Sequence, residues 1–359
     1  MKYVIQSGKS AAYLQLYGQV REDIVQGVYP FHSKLPSKRT IADELGVSTV
    51  TVEHAYALLC DEGYIEPRER SGYFVIFRPT DGFAGAADRP LTQPHPIRHT
   101  QTQSEFPLSL LTKTMRRVMN DYGQALFEKS PNFGSSELRE AIGGYLARSR
   151  GIQADTSRII IGSGAEYLYR LIVELLGRDR RYAMEAPSYH KIEQVYQAAD
   201  LQYEMLPLGH DGIESAALWA SRADVLHITP YRSFPSGITA SASKRHEYLR
   251  WASTGGRYMI EDDFESEFSV SKKPEETLFS HTANDNVIYM NTFSKTISPS
   301  LRVGYMVLPE HLVDPFSQKL GFYSCTVPTF EQYVLTELIV NGDFERQINR
   351  VRRKKRKEL

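Results

Sequence analysis

Cysteine is nearly absent. Cys60 and Cys325 stand far apart, with no C-x-x-C and no Cys/His ligand spacing around either, which argues against a disulfide framework and against a zinc site. Long apolar runs are missing too. No stretch approaches the roughly 18 residues of a membrane span, and Met1–Gly8 has neither an apolar core nor a cleavage site, so the expected location is the cytoplasm. The third absence is a surplus of one charge. The 43 basic residues balance 43 acidic ones, which excludes a generally polycationic nucleic-acid coat, and any DNA contact must come from a local patch. What is present is a chain of 359 residues with 41% hydrophobic content, enough for two or more cores.

One lysine organises the chemistry. Lys295 stands among small hydroxyl residues between the apolar runs Val287–Met290 and Val303–Val307, with Arg302 a short distance on. That setting reads as a buried amine, and a buried lysine loses its charge readily and condenses with an aldehyde. The hydroxyls of Thr292 and Ser294 and the fork of Arg302 suit a phosphate beside that aldehyde. Upstream, the apolar run of Tyr258–Ile260 ends directly in acids. A carboxylate at a strand's C-terminal end is where open α/β sheets place ligand-binding groups, and Asp262 is the candidate to keep a pyridine nitrogen protonated.

The pair EDDFESEF (261–268) and NTFSKTISPSLRVGYMV (291–307) resembles fold-type I aminotransferases, and more closely the MocR subfamily of GntR-type regulators. The resemblance implies pyridoxal 5'-phosphate on Lys295, with Asp262 at the ring nitrogen. Phe264 stands where the family usually has tyrosine, which removes a phenol from the ring oxygen.

The N-terminal region supports the same family. Tyr13, Leu16, Tyr17, Val20, Ile24 and Val25 recur at helical spacing and predict a first helix ending at Gly27. Ser37 reads as the N-cap of a short second helix that breaks at Gly46, and Ser48 starts a third. Two short strands flanking Arg68–Gly72 predict a hairpin wing. LPSKR (35–39), GVS (46–48) and SGYFV (71–75) resemble the GntR winged-helix signatures. The resemblance implies double-stranded operator DNA as partner, with Ser37, Lys38, Arg39, Ser48, Thr49, Thr51 and His54 as contact candidates and Arg70, Ser71 and Gly72 at the wing tip. Each of these alone reads equally as a capping hydroxyl or a solvated charge. Thr49 replaces an arginine common in the family.

Residues 79–105, rich in Pro, Gly, Thr, Gln and His, read as a linker or as an irregular packed extension. The expected domains are thus a winged helix over 1–78, this linker, and an aminotransferase-like domain over 106–359. The expected fold class is an α/β large domain of fold-type I preceded by a small α+β winged helix-turn-helix domain.

Within the large domain, Ile159–Ile161 followed by Ser163-Gly164-Ala165 predicts strand, turn and helix, with free amides from those three residues forming a phosphate site. Tyr189, in a segment similar to the family's E-x-P-x-Y, is the candidate to stack on the cofactor ring, its alternative being a core tyrosine. Phe234 stands where true aminotransferases carry an asparagine, which argues for sensing over turnover. Arg232 is a candidate to approach the ring oxygen or an effector carboxylate. The basic stretch Arg350–Lys357 invites a DNA-binding reading, but Phe344, Ile348 and Val351 keep a helical apolar face, and a helix leading toward a small C-terminal domain is preferred. The resemblance implies that this small domain supplies a carboxylate-clamping arginine; it is expected either to lie beyond Leu359 or to be missing as a departure from the family.

The reading is a homodimeric regulator that senses an amine, an amino acid or vitamin B6 status through pyridoxal phosphate at Lys295. Its rivals are a working aminotransferase with an accessory domain, and a cofactor-free DNA-binding protein that uses the large domain to dimerise.

Overall fold

The computed structural model describes residues 3–6, 10–69, 71–78, 106–264, 266–269, 276–282 and 285–358. Arg70 and the expected linker over 79–105 lie outside the described residues. The chain divides into two units, 1–100 and 101–359.

In the first unit the helical repeat turns Leu16, Val20 and Ile24 inward on α1 (Ala12–Val25). Ser37 caps α2 (Lys38–Leu45) by accepting from the Thr40 amide, and α2 ends at Gly46 with φ 62°, a left-handed turn that glycine adopts without steric cost. Ser48 caps α3 (Thr49–Asp61) by accepting from the Thr51 amide. Each cap contributes about 1 kcal/mol. Strands β1 (Ile65–Arg68) and β2 (Gly72–Val75) pair antiparallel with Arg68 opposite Gly72. Val52, Tyr56 and Leu59 of α3 close the core against α1, Ile41, Ile65 and Val75.

The second unit alternates helix and strand. After α4 (Leu108–Tyr122) and α5 (Ser136–Arg150) come β3 (Ile159–Gly162), α6 (Ala165–Leu176), β4 (Tyr182–Ala186), α7 (His190–Ala198), β5 (Tyr203–Gly209) and β6 (Gly212–Ile213). Then follow α8 (Ser215–Ala220), β7 (Val225–Ile228), α9 (Ala242–Ala252), β8 (Tyr258–Asp262), α10 (Leu278–His281), β9 (Val287–Thr292) and β10 (Gly304–Val307). Three helices end the unit: α11 (Glu310–Leu320), α12 (Thr329–Val340) and α13 (Asp343–Glu358).

The strands form one sheet in the order β3-β10-β9-β8-β7-β4-β5-β6. Strands β9, β8, β7, β4 and β5 are parallel, whereas β10 runs antiparallel between β3 and β9. Because β10 opposes both neighbours, β3 points the same way as the parallel set. Successive side chains leave a strand on opposite faces, so Ile159 and Ile161 enter one apolar layer with α5 and α12 while Ile160 enters the other with α6 and α11. Both faces being covered, β7 and β9 are buried throughout, as parallel strands between helix layers are. The C-terminal ends of β3, β4, β7, β8 and β9 therefore share one edge. In α13, Phe344, Ile348 and Val351 are buried. Among the described residues no helix is long and apolar enough to cross a membrane.

Candidate functional site

At that shared edge lies a cavity of about 240 Å³, walled by residues from five segments: Ala165, Glu166 and Tyr169 on α6, Tyr189 and Lys191 at α7, Thr229 and Phe234 after β7, Asp262 and Phe264 at β8, and Thr292, Ser294, Lys295, Pro299 and Arg302 between β9 and β10. The strand repeat decides which acid faces it. Ile260 and Asp262 point to the α6 layer, whereas Glu261 and Asp263 point to the opposite one. Asp262 Oδ2 accepts a 2.5 Å hydrogen bond from the Tyr169 hydroxyl. Burial, with Asp262 beside it, pushes Tyr169 far above its ordinary value, so it stays a proton donor. His227 Nδ1 lies 2.8 Å from the Tyr196 hydroxyl, and its Nε2 faces Asp262 at 3.8 Å.

Asp263 is occupied elsewhere. It accepts from Arg150 Nε at 2.8 Å and from the Tyr289 hydroxyl at 2.6 Å, all three side chains being buried.

Lys295 departs from its expected surroundings. The flanking apolar runs are β9 and β10 and are fully buried, but the turn between them stands at the cavity mouth and Lys295 is exposed, its Nζ 5.2 Å from the Phe264 ring centre. Phe293, Thr296 and Ile297 of the same turn are buried, but Lys295 between them faces outward. Arg302 has φ 50°, and its Nη2 lies 2.7 Å from Glu166 Oε2 and 3.5 Å from the Ser163 carbonyl. Gly164 has φ 97°, and a Cβ there would stand 3.0 Å from Arg302 Nη2. Glycine thus keeps the start of α6 open to the guanidinium.

The three expected helix-start amides are not all available, because the Gly164 amide donates to the Gly162 carbonyl at 2.9 Å. Neither Ser163 nor Arg232 lines the cavity; Arg232 is exposed, with φ 54°, and its amide donates to Thr239 Oγ1. Tyr189 does line it, its ring near-parallel to Phe264 at 6.3 Å and edge-on to Phe234. Lys191, Glu166, Thr229 and Tyr169 were not legible from motifs. Lys191 follows Tyr189 by two residues, which was the available signal.

Among the described residues Thr292 Oγ1, buried in the cavity wall, has no hydrogen-bond partner. A buried hydroxyl left unpaired is costly, and a polar ligand at this wall satisfies it. Cations at one end, a carboxylate at the other and a tyrosine ring on the side suit a small, flat, anionic ligand. Below the site, Glu185 accepts from Ser233 Oγ at 2.5 Å. Burial pushes Glu185 up to about 8 against the pull of Ser233, so it holds the loop after β7 as a neutral acid at lower pH.

On the first unit, Arg39, Ser48, Thr49 and His54 are exposed on and around α2 and α3, and Ser71 and Gly72 are exposed at the hairpin. Thr51 is half-buried, and Ser37 and Ser48 serve as caps. Lys38 pairs with Glu53 at 2.7 Å.

Residues 12–75 match the bacterial regulatory proteins of the gntR family, and residues 102–358 match aminotransferase class I and II. The HTH-type transcriptional regulator YdeL of Bacillus subtilis is 32% identical over 96% of this chain and 77% of its own length. The probable rhizopine catabolism regulatory protein MocR of Rhizobium meliloti is 28% identical over 94% of this chain and 74% of its own. A Pyrococcus horikoshii kynurenine aminotransferase solved with PMP is 26% identical, with TM-score 0.61, over 69% of this chain and 64% of that one. This chain therefore spans about three quarters of those regulators and under two thirds of the enzyme.

Proposed function

The chain belongs to the MocR-type branch of the GntR transcriptional regulators, which join a winged helix to an aminotransferase class I and II domain, and from that membership we propose that it binds operator DNA as a homodimer under the control of pyridoxal 5'-phosphate held at Lys295. The cavity carries this reading, because it gathers Lys295, Asp262, Tyr189, Thr292 and Arg302 on one edge of the sheet. When bound, pyridoxal phosphate supplies an aldehyde open to an amine and a ring that withdraws electrons once its nitrogen is protonated.

The residues have distinct tasks. Asp262, held by Tyr169, keeps a proton at the ring nitrogen, since a carboxylate favours a neighbouring cation. Tyr189 covers one ring face and excludes water. Ser294, Thr292 and Arg302 take the phosphate, and Lys295 takes the aldehyde. The effector is an amine, an amino acid or the vitamin B6 pool itself. A working aminotransferase has less support, because YdeL and MocR, which match 96% and 94% of this chain, are named as regulators.

Borohydride reduction of the purified protein with pyridoxal phosphate, followed by peptide mass spectrometry, tests the reading. The expected result is one fixed adduct on Lys295, lost in Lys295→Ala with the visible absorption band. A reducible adduct on another lysine, or none, overturns it.

A further inference from the structure

Two of the cations lining this cavity, Lys191 and Arg302, already share a partner. Glu166 stands in the first turn of α6 with Oε1 2.5 Å from Lys191 Nζ and Oε2 2.7 Å from Arg302 Nη2, so each carboxylate oxygen bridges to a different cation, much as two oxygens of a phosphate would. We propose that Glu166 is an internal stand-in for the cofactor phosphate, which must displace it to bind. Pyridoxal phosphate is then held in exchange with the free pool, and the regulator reads the abundance of that pool.

The inference rests on the proposed cofactor and deepens it. Burial pushes the Glu166 acid up, but Lys191, its own backbone amide and Arg302 outweigh burial and bring it down to about 2. The group is therefore an anion throughout the physiological range. A phosphate entering beside it meets a like charge and must take Lys191 and Arg302 away from an existing pair. Lys191 also lies 6.0 Å from the centre of the Tyr189 ring, so the displaced cation stays next to the ring-stacking residue. A neutral glutamine at position 166 keeps the length of the side chain and one accepting oxygen, its amide nitrogen being donor-only, and removes the competing charge.

The test is a spectroscopic titration of the full chain with pyridoxal phosphate and, in parallel, with pyridoxal, which has the aldehyde but no phosphate. Glu166→Gln is expected to bind pyridoxal phosphate about tenfold tighter or more, the scale of one like-charge contact discounted for partly exposed groups, with pyridoxal affinity unchanged. Glu166→Ser, which removes the charge by a different route, is expected to show the same selectivity. Glu174→Gln, on the same helix but paired with Arg170 outside the cavity, is expected to behave as wild type. Equal or weaker binding of pyridoxal phosphate by both Glu166 variants overturns the inference, as does an equal gain for pyridoxal. If that happens while the Lys295 adduct persists, the cofactor reading stands and the stand-in alone is wrong. Failure of every protein to bind pyridoxal phosphate overturns both.

Discussion

Single residues in this chain divide between those whose chemistry is announced by their neighbours and those defined only by folding. Asp262 belongs to the first kind: a strand that alternates between two covered faces sends Ile260 and Asp262 to one side and Glu261 and Asp263 to the other, and this follows from the sequence once β8 is recognised. Lys191 and Glu166 belong to the second kind, because their meeting depends on how α6 and α7 pack. Lys295 lies between the two. Its identity is legible in the motif but its exposure is not, because Phe293, Thr296 and Ile297 of the same turn are buried while Lys295 faces outward. Glu185 yields a pH prediction at this scale. Its folded value of about 8 lies above the ordinary 4.5, so the folded state binds more protons between those limits and the stabilisation falls as pH rises through about 8. Urea midpoints are expected to decline from about pH 5 to about pH 8, and Glu185→Gln, which cannot ionise, is expected to lessen the decline, the rest coming from Glu261 and Glu267, which burial raises to about 8 and about 7. A wild-type slope retained in the variant would remove Glu185 as its source.

At the scale of elements, β8 does two jobs from one end. One face supplies Asp262 to the cavity. The other supplies Asp263, which accepts from Tyr289 on β9 and pairs with the buried Arg150 at the end of α5; Glu267 lies 3.7 Å from the same guanidinium, and Asn291 of β9 and Arg352 of α13 bond Glu267 in turn. The network ties α5, β8, β9 and α13 into one body. Removing one partner of a buried pair costs roughly 3–5 kcal/mol where the other charge is left unpaired, and here Glu267, 3.7 Å from Arg150, would still cover part of that charge. Asp263→Asn is therefore expected to lower the urea-derived stability by about 2 kcal/mol, below that range because Glu267 remains, and Asp262→Asn by far less while weakening cofactor binding. Equal losses from both would show that the two acids share one role. The elements themselves were largely legible. Apolar periodicity and the caps Ser37 and Ser48 located α1 to α3, and the wing followed from its strand and turn residues. The order of the sheet was not, since the insertion of β10 between β3 and β9 is a long-range pairing that no local pattern records.

For the whole molecule, the account joins a DNA reader to a sensor through chemistry that only one of them carries. A dimer presents two winged helices to two half-sites, and a ligand changes operator affinity only if it favours one arrangement of those readers. The measurement that tests this most directly is the binding of fluorescent operator DNA, selected from a random-sequence pool, by wild type, Lys295→Ala and Arg39→Ala over a range of pyridoxal phosphate concentrations. The account predicts that wild-type affinity shifts with pyridoxal phosphate, that Lys295→Ala binds DNA but does not respond, and that Arg39→Ala binds DNA weakly yet keeps its cofactor spectrum. Identical operator binding by wild type and Lys295→Ala at every cofactor concentration would contradict it.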